Sequence, residues 1–204
     1  MDPRQERIAN PFGMDEDCRN CSELCATRKR VVHGYGDAGA EFVFVGDRPS
    51  ERADATGRPF AGTGLWSILE AIGFCPDAGA EEPILAGAYL THLTRCRADR
   101  APTDEEISNC DAFLTADLRT INPEIIVPVG ERTLRTLAVE YTTRPADGFS
   151  LPADHAESIR GRGFELLPTV EPTAASDEQL AAFEAALDAT LDRDFRQTKG
   201  RRGR

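Results

Sequence analysis

Four cysteines carry the clearest chemical signal in this sequence of 204 residues. Cys18 and Cys21 form a C-x-x-C pair near the start, whereas Cys96 and Cys110 follow much later with thirteen residues between them. Thiolates are soft ligands that select zinc or an iron–sulfur cluster over hard cations such as Mg²⁺. Because zinc ribbons usually pair two tight C-x-x-C units, this spacing favours an iron–sulfur cluster, with zinc or buried unligated thiols as the alternatives.

Two further cysteines, Cys25 and Cys75, complete a set of six. Six cysteines without a secretory signal are more typical of metal ligands in a reducing cytosol than of disulfides. Cys25 follows Cys21 as C-x-x-x-C, so it competes for a ligand position. Cys75 ends an apolar helical segment, and we expect it to pack as a small hydrophobic side chain.

The segments that must position these cysteines alternate between strands and helices. Short apolar runs predict buried strands at 41–45, 88–91, 124–129 and 164–168. Helical periodicity occurs at 63–73, from 103 onward, at 130–138 and from 176 onward. This alternation predicts an α/β fold, a three-layer sandwich in which helices flank a central, mostly parallel four-stranded sheet.

Two of the predicted helices begin with a clear sequence signature. Thr103 with Glu106, and Ser176 with Gln179, match the capping box in which the first side chain and the third helical residue satisfy each other's backbone groups. The helix that starts at Thr103 has an apolar stripe that includes Cys110. We therefore expect Cys110 to lie on the buried face. The segment 142–163 is predicted to be a long surface excursion.

Charge is distributed unevenly along the chain. The formal net charge is -11, but residues 193–204 hold six basic side chains and one acid, a net +5, which leaves -16 on residues 1–192. We predict one domain over 1–192 and a basic tail over 193–204 that is either solvated or in contact with phosphates. The acid-rich surface, with only two lysines in the chain, also suits a halophilic host.

The sequence also predicts where the protein resides. The N-terminal residues MDPRQERIANPFGMDED lack the apolar core of a signal peptide, and no apolar run approaches the roughly 18 residues that span a bilayer. We expect a cytoplasmic, monomeric protein without a membrane partner.

The loops beyond the strands are the expected place for chemistry, because ligands of parallel α/β sheets bind at the carboxyl ends of the strands. These loops are residues 46–62, 92–102, the segment from 130 and residues 169–175. The first reads GDRPSERADATGRPFAG, and its glycines and prolines suit a backbone that approaches a ligand closely. Phe60 in this loop either contacts that ligand or belongs to the core.

Taken in order, several segments resemble the uracil-DNA glycosylase superfamily, in particular its iron–sulfur branch, family 4. That family has C-x-x-C, G-E-x-P-G, G-R-P-F-x-G, T-N-x-x-K-C-R-P, a further cysteine and H-P-S. The matching segments here are CRNC at 18–21, GDRPS at 46–50, GRPFAG at 57–62, THLTRCR at 91–97, Cys110, and EPT at 171–173. The resemblance implies a [4Fe-4S] cluster on Cys18, Cys21, Cys96 and Cys110.

The resemblance also implies an enzyme of DNA repair that hydrolyses the N-glycosidic bond of uracil or another deaminated base. Such enzymes flip the nucleotide out of the DNA and stack its base on an aromatic ring. Phe60 matches the stacking residue, and Gly46 belongs to the base-binding loop. Cleavage makes the sugar cationic and the base anionic, so a carboxylate near the sugar lowers the barrier. Asp47 matches that carboxylate and is one methylene shorter than the family's glutamate.

Two positions differ from the family. His92 stands where the family has an asparagine that reads the edge of uracil, and a neutral imidazole offers one donor and one acceptor. Glu171 replaces the histidine of H-P-S, and its carboxylate repels a departing anionic base unless it is protonated. With Asp47, these two are the candidate catalytic residues, and His92 is also a candidate base contact. The alternatives are a strand-end histidine, a solvated loop acid at Glu171 and a turn-capping Asp47.

Three functions remain open at this point. The first is a DNA glycosylase, and the second is a catalytically impaired iron–sulfur module of the same fold that binds nucleic acid. An electron-transfer protein is the third and is disfavoured, because the apolar helix around Cys110 indicates a buried cluster. His33 and His155 lie outside every matched segment, so we predict that they are structural or exposed.

Overall fold

The computed structural model describes residues 5–193, in which six strands form one sheet of order β1-β3-β2-β4-β6-β5. The strands are β1 (Tyr35–Gly36), β2 (Phe42–Gly46), β3 (Ala88–His92), β4 (Ile125–Pro128), β5 (Ile159–Arg160) and β6 (Glu165–Leu166). Strands β3, β2, β4 and β6 are parallel, and β1 and β5 pair antiparallel at the two edges. The mostly parallel sheet is confirmed. The predicted count of four strands is two short, because β1 and β5 have only two residues each.

Six α-helices accompany the sheet in the described residues. They are α1 (Ser22–Thr27), α2 (Glu51–Thr56), α3 (Leu65–Ile72), α4 (Asp104–Ile121), α5 (Glu131–Tyr141) and α6 (Asp177–Leu191). Both predicted capping boxes are present, at the starts of α4 and α6. Helix α2 was not predicted, since it lies inside the segment interpreted as a loop. The Ser50 hydroxyl caps it by accepting the N–H of Ala53 at 3.0 Å.

The helices cover both faces of the sheet. On one face, Phe42 and Phe44 of β2 pack with buried residues of α3 and α6. On the other face, Val43 and Val45 pack with buried residues of α4 and α5. Every residue of β2, β3 and β4 is buried, as expected for parallel strands between two helical layers. The three-layer sandwich is therefore confirmed.

The segment 142–163 is more closely packed than the predicted surface excursion. It contains a 3-10 helix, Ala146–Gly148, and the edge strand β5. Phe149 is fully buried in the core on the α5 side, and the guanidinium of Arg144 lies 4.3 Å above its ring. Arg144 also pairs with Asp154 at 3.1 Å. None of the described helices is both long and apolar enough to cross a membrane.

Candidate active site and cysteine cluster

The predicted site residues meet at the carboxyl ends of the parallel strands. Gly46 at the end of β2 pairs with His92 at the end of β3, and Asp47 follows directly. Glu171 comes two residues after Thr169, which forms a parallel bridge with Val129 beyond β4. Asp47, Phe60, His92 and Glu171 line a single cavity of about 540 Å³. The structure thus brings together the four side chains predicted from three loops.

Phe60 and His92 form a stacked pair in the wall of this cavity. Their ring centroids lie 4.7 Å apart with an interplanar angle of 28°. A Cβ placed on Gly46 would lie 2.7 Å from two atoms of the Phe60 ring and 2.8 Å from Cδ2 of His92. These distances are too short for any side chain other than hydrogen, so Gly46 is the residue that makes room for the pair.

The backbone of Phe60 is held in an unusual conformation. Its φ is +57°, in the left-handed region that costs a non-glycine residue about 1–2 kcal/mol. The carbonyl of Phe60 accepts hydrogen bonds from the N–H and the hydroxyl of Thr63, at 3.0 and 2.8 Å. Local hydrogen bonds therefore maintain a turn that presents the ring to the cavity.

His92 is neutral in this environment. Only 1% of its surface is exposed, and this burial, helped by the nearby charge of Arg95, lowers its pKa to about 3. Its Nδ1 is buried and has no hydrogen-bond partner among the described residues. Because this nitrogen has no partner, the imidazole retains hydrogen-bonding capacity that the fold does not use. Leaving a polar atom buried and unpaired costs stability, which suggests a use in ligand binding.

Asp47 lies beside two arginines. Nη1 of Arg48 donates to Oδ2 of Asp47 at 3.0 Å, and Nε of Arg132 is 3.9 Å from Oδ1. Burial raises the pKa of Asp47, while the charges of both arginines act in the opposite direction. Its Oδ1 is buried and accepts no hydrogen bond from the described residues. One oxygen of the carboxylate is therefore anchored, and the other is free of a hydrogen-bond donor.

The pKa of Glu171 is also raised, and more strongly than that of Asp47. Burial is the main cause and, together with the charge of Asp47, raises the pKa of Glu171 to about 7, while Arg48 opposes both. A Cβ on Gly130, which precedes α5, would lie only 3.0 Å from Oε1 of Glu171. The carboxyl group is thus packed against the start of α5. Near neutral pH, the cavity holds one arginine-paired carboxyl and one that retains its proton more readily.

The four predicted ligand cysteines also meet, on the side of the molecule where α1, the loop after β3 and α4 come together. Cys18, Cys96 and Cys110 are buried, Cys110 on the inner face of α4 as predicted, and Cys21 is half-buried. The thiols influence one another electrostatically, since Cys18 and Cys110 raise the pKa of Cys96, and Cys21 and Cys18 raise that of Cys110. Burial is the larger cause at both positions.

The surroundings of these thiols suit bound thiolates. Nη1 of Arg28 donates to Sγ of Cys96 at 3.0 Å, and Nδ2 of Asn109 donates to Sγ of Cys21 at 3.6 Å. Within residues 5–193, no three His, Cys, Asp or Glu side chains converge tightly enough to hold a single metal ion. In a [4Fe-4S] cluster each of four thiolates binds, so four neighbouring sulfurs with hydrogen-bond donors fit this group.

The remaining cysteines and histidines have other surroundings. Sγ of Cys25 donates to the carbonyl of Cys18 at 3.7 Å, so this thiol borders the four. Cys75 is buried among apolar side chains of the α3 side, which confirms its predicted role. His33 and His155 bond backbone carbonyls at 2.8 Å, as expected for structural histidines.

One buried ion pair beside the cysteines was not predicted. Arg95 and Asp117 are almost wholly inaccessible, and Nη2 of Arg95 lies 2.6 Å from Oδ2 of Asp117. Asp117 also accepts hydrogen bonds from the hydroxyls of Tyr89 and Thr91, at 2.8 and 2.9 Å. Strand β3 is therefore anchored to α4 through one carboxylate. An aspartate within the apolar stripe of α4 was the signal in the sequence that could have revealed it.

Comparison with known proteins agrees with this geometry. The family model of the Uracil DNA glycosylase superfamily matches residues 33–192. The chain is 27% identical to the Type-4 uracil-DNA glycosylase of Saccharolobus solfataricus over 193 residues, covering 89% of this chain and 80% of that protein. It is 35% identical to the Type-4 enzyme of Thermotoga maritima over 119 residues, 57% of this chain and 58% of the relative. A Type-5 uracil-DNA glycosylase of Pyrobaculum aerophilum is 29% identical over 202 residues, covering 82% of this chain and 86% of the relative. The chain belongs to the uracil-DNA glycosylase superfamily.

Proposed function

We propose that this protein is a DNA glycosylase that removes uracil or another deaminated base from DNA by hydrolysing the N-glycosidic bond. The observation that carries the proposal is the single cavity lined by Asp47, Phe60, His92 and Glu171. A base must leave the helical stack before its bond to the sugar can be reached, so such an enzyme needs a cavity with an aromatic wall. The names of the Type-4 relatives support the same reaction.

The stacked pair of Phe60 and His92 forms the base-binding wall in this proposal. Aromatic stacking stabilises any flipped base, whereas hydrogen bonds to the base edge provide selectivity. The neutral imidazole of His92 can donate from one nitrogen and accept at the other. Since its Nδ1 is unpaired in the described residues, base binding is the use we assign to this side chain.

The two carboxyl groups divide the chemistry between them. Asp47, held by Arg48, stabilises the cationic sugar and accepts a proton from the attacking water through its free oxygen. The water oxygen bonds to C1′ as the C1′–N bond breaks, and Glu171 in its neutral form donates its proton to the departing base. Solvent then returns the proton from Asp47 to Glu171. The raised pKa of Glu171 supports this donor role.

Cys18, Cys21, Cys96 and Cys110 hold a [4Fe-4S] cluster in this proposal, with zinc as the alternative. When bound, the group supplies cross-links between the segment around α1, the end of β3 and α4. It takes no part in bond cleavage, because the reacting groups line a separate cavity. This use as a structural cross-link is also the reason to set aside an electron-transfer function.

A panel of oligonucleotides tests the proposed reaction. Single-stranded and duplex DNA containing uracil, hypoxanthine or xanthine is incubated with anaerobically purified protein, and abasic sites are detected by alkaline cleavage. We expect product from at least one base, with Asp47→Asn as the inactive control. Absence of abasic product from every base, with the cluster intact and salt varied up to molar KCl, overturns the proposal.

A catalytically impaired nucleic-acid-binding module is the second candidate. The replacement of the family's asparagine and histidine by His92 and Glu171 favours it. This candidate predicts DNA binding without cleavage in the same panel. It also predicts salt-sensitive binding that weakens when the basic tail 193–204 is removed, of which residues 194–204 lie outside the described part of the chain.

We further infer a cytoplasmic monomer from a salt-rich environment. The formal net charge of -11 destabilises the compact state by repulsion at low salt, and salt screens this repulsion. Thermal unfolding followed in dilute buffer and in molar KCl tests the inference, with a higher midpoint expected in KCl. Gel filtration in the same salt tests the monomer, and a midpoint that falls with KCl contradicts the halophilic adaptation.

A further inference from the structure

A second and larger cavity, of about 870 Å³, adjoins α2. Ser50 and Glu51 line the candidate active site, whereas Arg52 and Thr56, further along the same helix, line this second cavity. Because α2 has six residues, it is about 9 Å long. The two cavities therefore adjoin the same short helix.

Four cations and four carboxylates line this second cavity, and we call the part formed by the cations the basic groove: Lys29, Arg30, Arg52 and Arg58. Lys29 and Arg30 lie in the segment after α1, whose backbone N–H groups donate to the buried carboxylate of Asp54 at 3.0 and 3.3 Å. This contact fixes the segment to α2. The carboxylate of Asp54 is occupied by these backbone donors, and neither Lys29 nor Arg30 forms an ion pair within residues 5–193.

The four cations of the basic groove form no salt bridge with any acid in residues 5–193. The arginines around the active site differ, because Arg48, Arg97 and Arg132 all pair with carboxylates. Unpaired cations collected in one groove of a chain with net charge -11 indicate a site for an anion.

Arg58 is the most firmly held of the four. Its guanidinium lies 4.9 Å from the centre of the Trp66 ring, and Nη1 donates to the carbonyl of Ala80 at 3.2 Å. Its Nε is buried and has no hydrogen-bond partner in the described residues. A guanidinium that is held by a ring contact and one hydrogen bond, and that has no ion pair in the described residues, is well suited to an oxyanion.

The carboxylates of the cavity come from other segments. Glu16 and Asp17 precede α1, and Glu81 and Glu82 lie in the loop before β3. These carboxylates repel a polyanion from their own parts of the cavity. An anionic strand is thereby confined to the part formed by α2 and the segment after α1.

We infer that the basic groove binds phosphates of the DNA strand that flanks the flipped nucleotide. The inference rests on the proposed function only in taking DNA as the ligand of the neighbouring cavity. Stacked DNA carries one phosphate per roughly 3.4 Å of axis on each strand, so α2 spans about three nucleotides. The contacted phosphates lie within about three positions of the excised base.

The test compares two double variants with the same loss of charge. R30A/R52A removes two exposed cations of the groove, and R160A/R162A removes two exposed arginines at the β5 edge of the sheet. Binding to a duplex with a tetrahydrofuran abasic analogue is followed by fluorescence anisotropy over a range of KCl. We expect R30A/R52A to bind about tenfold more weakly and to lower the slope of log K against log salt by roughly 1.8, at about 0.9 per phosphate.

Neutral linkages locate the contact. Single methylphosphonates are placed at each of three positions on either side of the abasic analogue. At the positions that Arg30 and Arg52 contact, they should weaken wild-type binding and leave R30A/R52A unaffected. Equal losses for the two double variants, or equal methylphosphonate effects on wild type and R30A/R52A, overturn the inference.

The binding readout separates this inference from the proposed reaction. Binding to the abasic analogue requires no cleavage. If R30A/R52A binds more weakly but no base is excised, the phosphate-binding inference stands and only the proposed glycosylase reaction is overturned. If bases are excised but R30A/R52A binds as tightly as R160A/R162A, only the phosphate-binding inference is overturned. Thermal unfolding midpoints of both variants should equal that of wild type, since all four side chains are exposed.

Discussion

The imidazole of His92 stacks on the ring of Phe60 with 4.7 Å between centroids, above a glycine at position 46 that leaves no space for a methyl group. The contact joins the end of β3 to the loop after α2. Both rings are buried, so their relative position is set by the core rather than by solvent. The wall of the cavity is therefore rigid before any ligand binds.

Gly46→Ala tests this packing. The added methyl group would approach both rings within 2.8 Å, and overpacking of a well-filled core costs about 1–3 kcal/mol. We expect the free energy of unfolding in urea to fall by that amount and base excision to fall with it. Gly39→Ala is the control, because its Cβ would meet only Oδ1 of Asp37 at 3.6 Å. Equal stability of the two variants would contradict the packing argument.

His92→Asn tests the base contact. An amide offers a donor and an acceptor on one short side chain, as the family's asparagine does, and one added hydrogen bond of about 1.4 kcal/mol is worth roughly tenfold in rate. We expect kcat/KM for uracil to rise by about that factor relative to the other bases of the panel. His92→Ala removes both functions and is the comparison. An Asn variant no better than the Ala variant on uracil would refute the role of His92.

Glu171→Gln tests the proton donor. The neutral form of Glu171 predominates below its pKa of about 7, so excision by the wild type should decline as pH rises through 7. Asp47 must be ionised, which gives a decline on the acid side as well. The glutamine side chain cannot transfer a proton to the departing base. We therefore expect kcat/KM to fall about 100-fold and the decline in activity above pH 7 to disappear. Glu157→Gln, at an exposed position, should keep the wild-type profile.

Asp117→Asn tests the buried ion pair. The amide preserves shape but leaves the guanidinium of Arg95 buried without a counter-charge, which typically costs about 3–5 kcal/mol. We expect this loss in urea unfolding at pH 7. Asp111→Asn on the exposed face of α4 should change stability by less than about 0.5 kcal/mol. A similar small change at both positions would show that the pair does not stabilise the fold.

Cysteine variants test the proposed cluster. Cys96→Ala should lower iron and acid-labile sulfide per chain and reduce the visible absorbance, because one of four ligands is lost. Cys75→Ala and Cys25→Ala should retain both, and Cys75 is the stricter control because it is equally buried. Zinc without iron in the wild type would favour the alternative metal. If Cys25→Ala loses iron and Cys96→Ala keeps it, Cys25 and not Cys96 is a ligand of the cluster.

Sequence patterns located the parallel strands and the capped helices because these elements repeat a strong local signal. The boxes at Thr103 and Ser176 each satisfy backbone groups within four residues, so no distant contact is needed. The edge strands β1 and β5 escaped prediction, since two residues cannot alternate visibly. Helix α2 escaped because its residues ERADAT lie between glycine- and proline-rich stretches typical of a loop.

The residues of the site could be predicted from the sequence, but the contacts among them could not. Ordered motifs identified Asp47, Phe60, His92 and Glu171, and the topology of a parallel sheet brings strand ends together. The arginine pairing of Asp47, the stacking of His92 and the raised pKa of Glu171 depend on packing between distant segments. No local pattern encodes these contacts.

Helix α4 carries Cys110 and Asp117 seven residues apart, two turns along the same inner face. One residue faces the cluster of thiols, and the other holds the strand that ends at His92. Oxidation of the cysteine sulfurs is thus expected to shift α4 and, with it, the position of His92 in the wall of the cavity. If the proposed cluster is present, oxidising conditions that damage it would then also weaken base recognition.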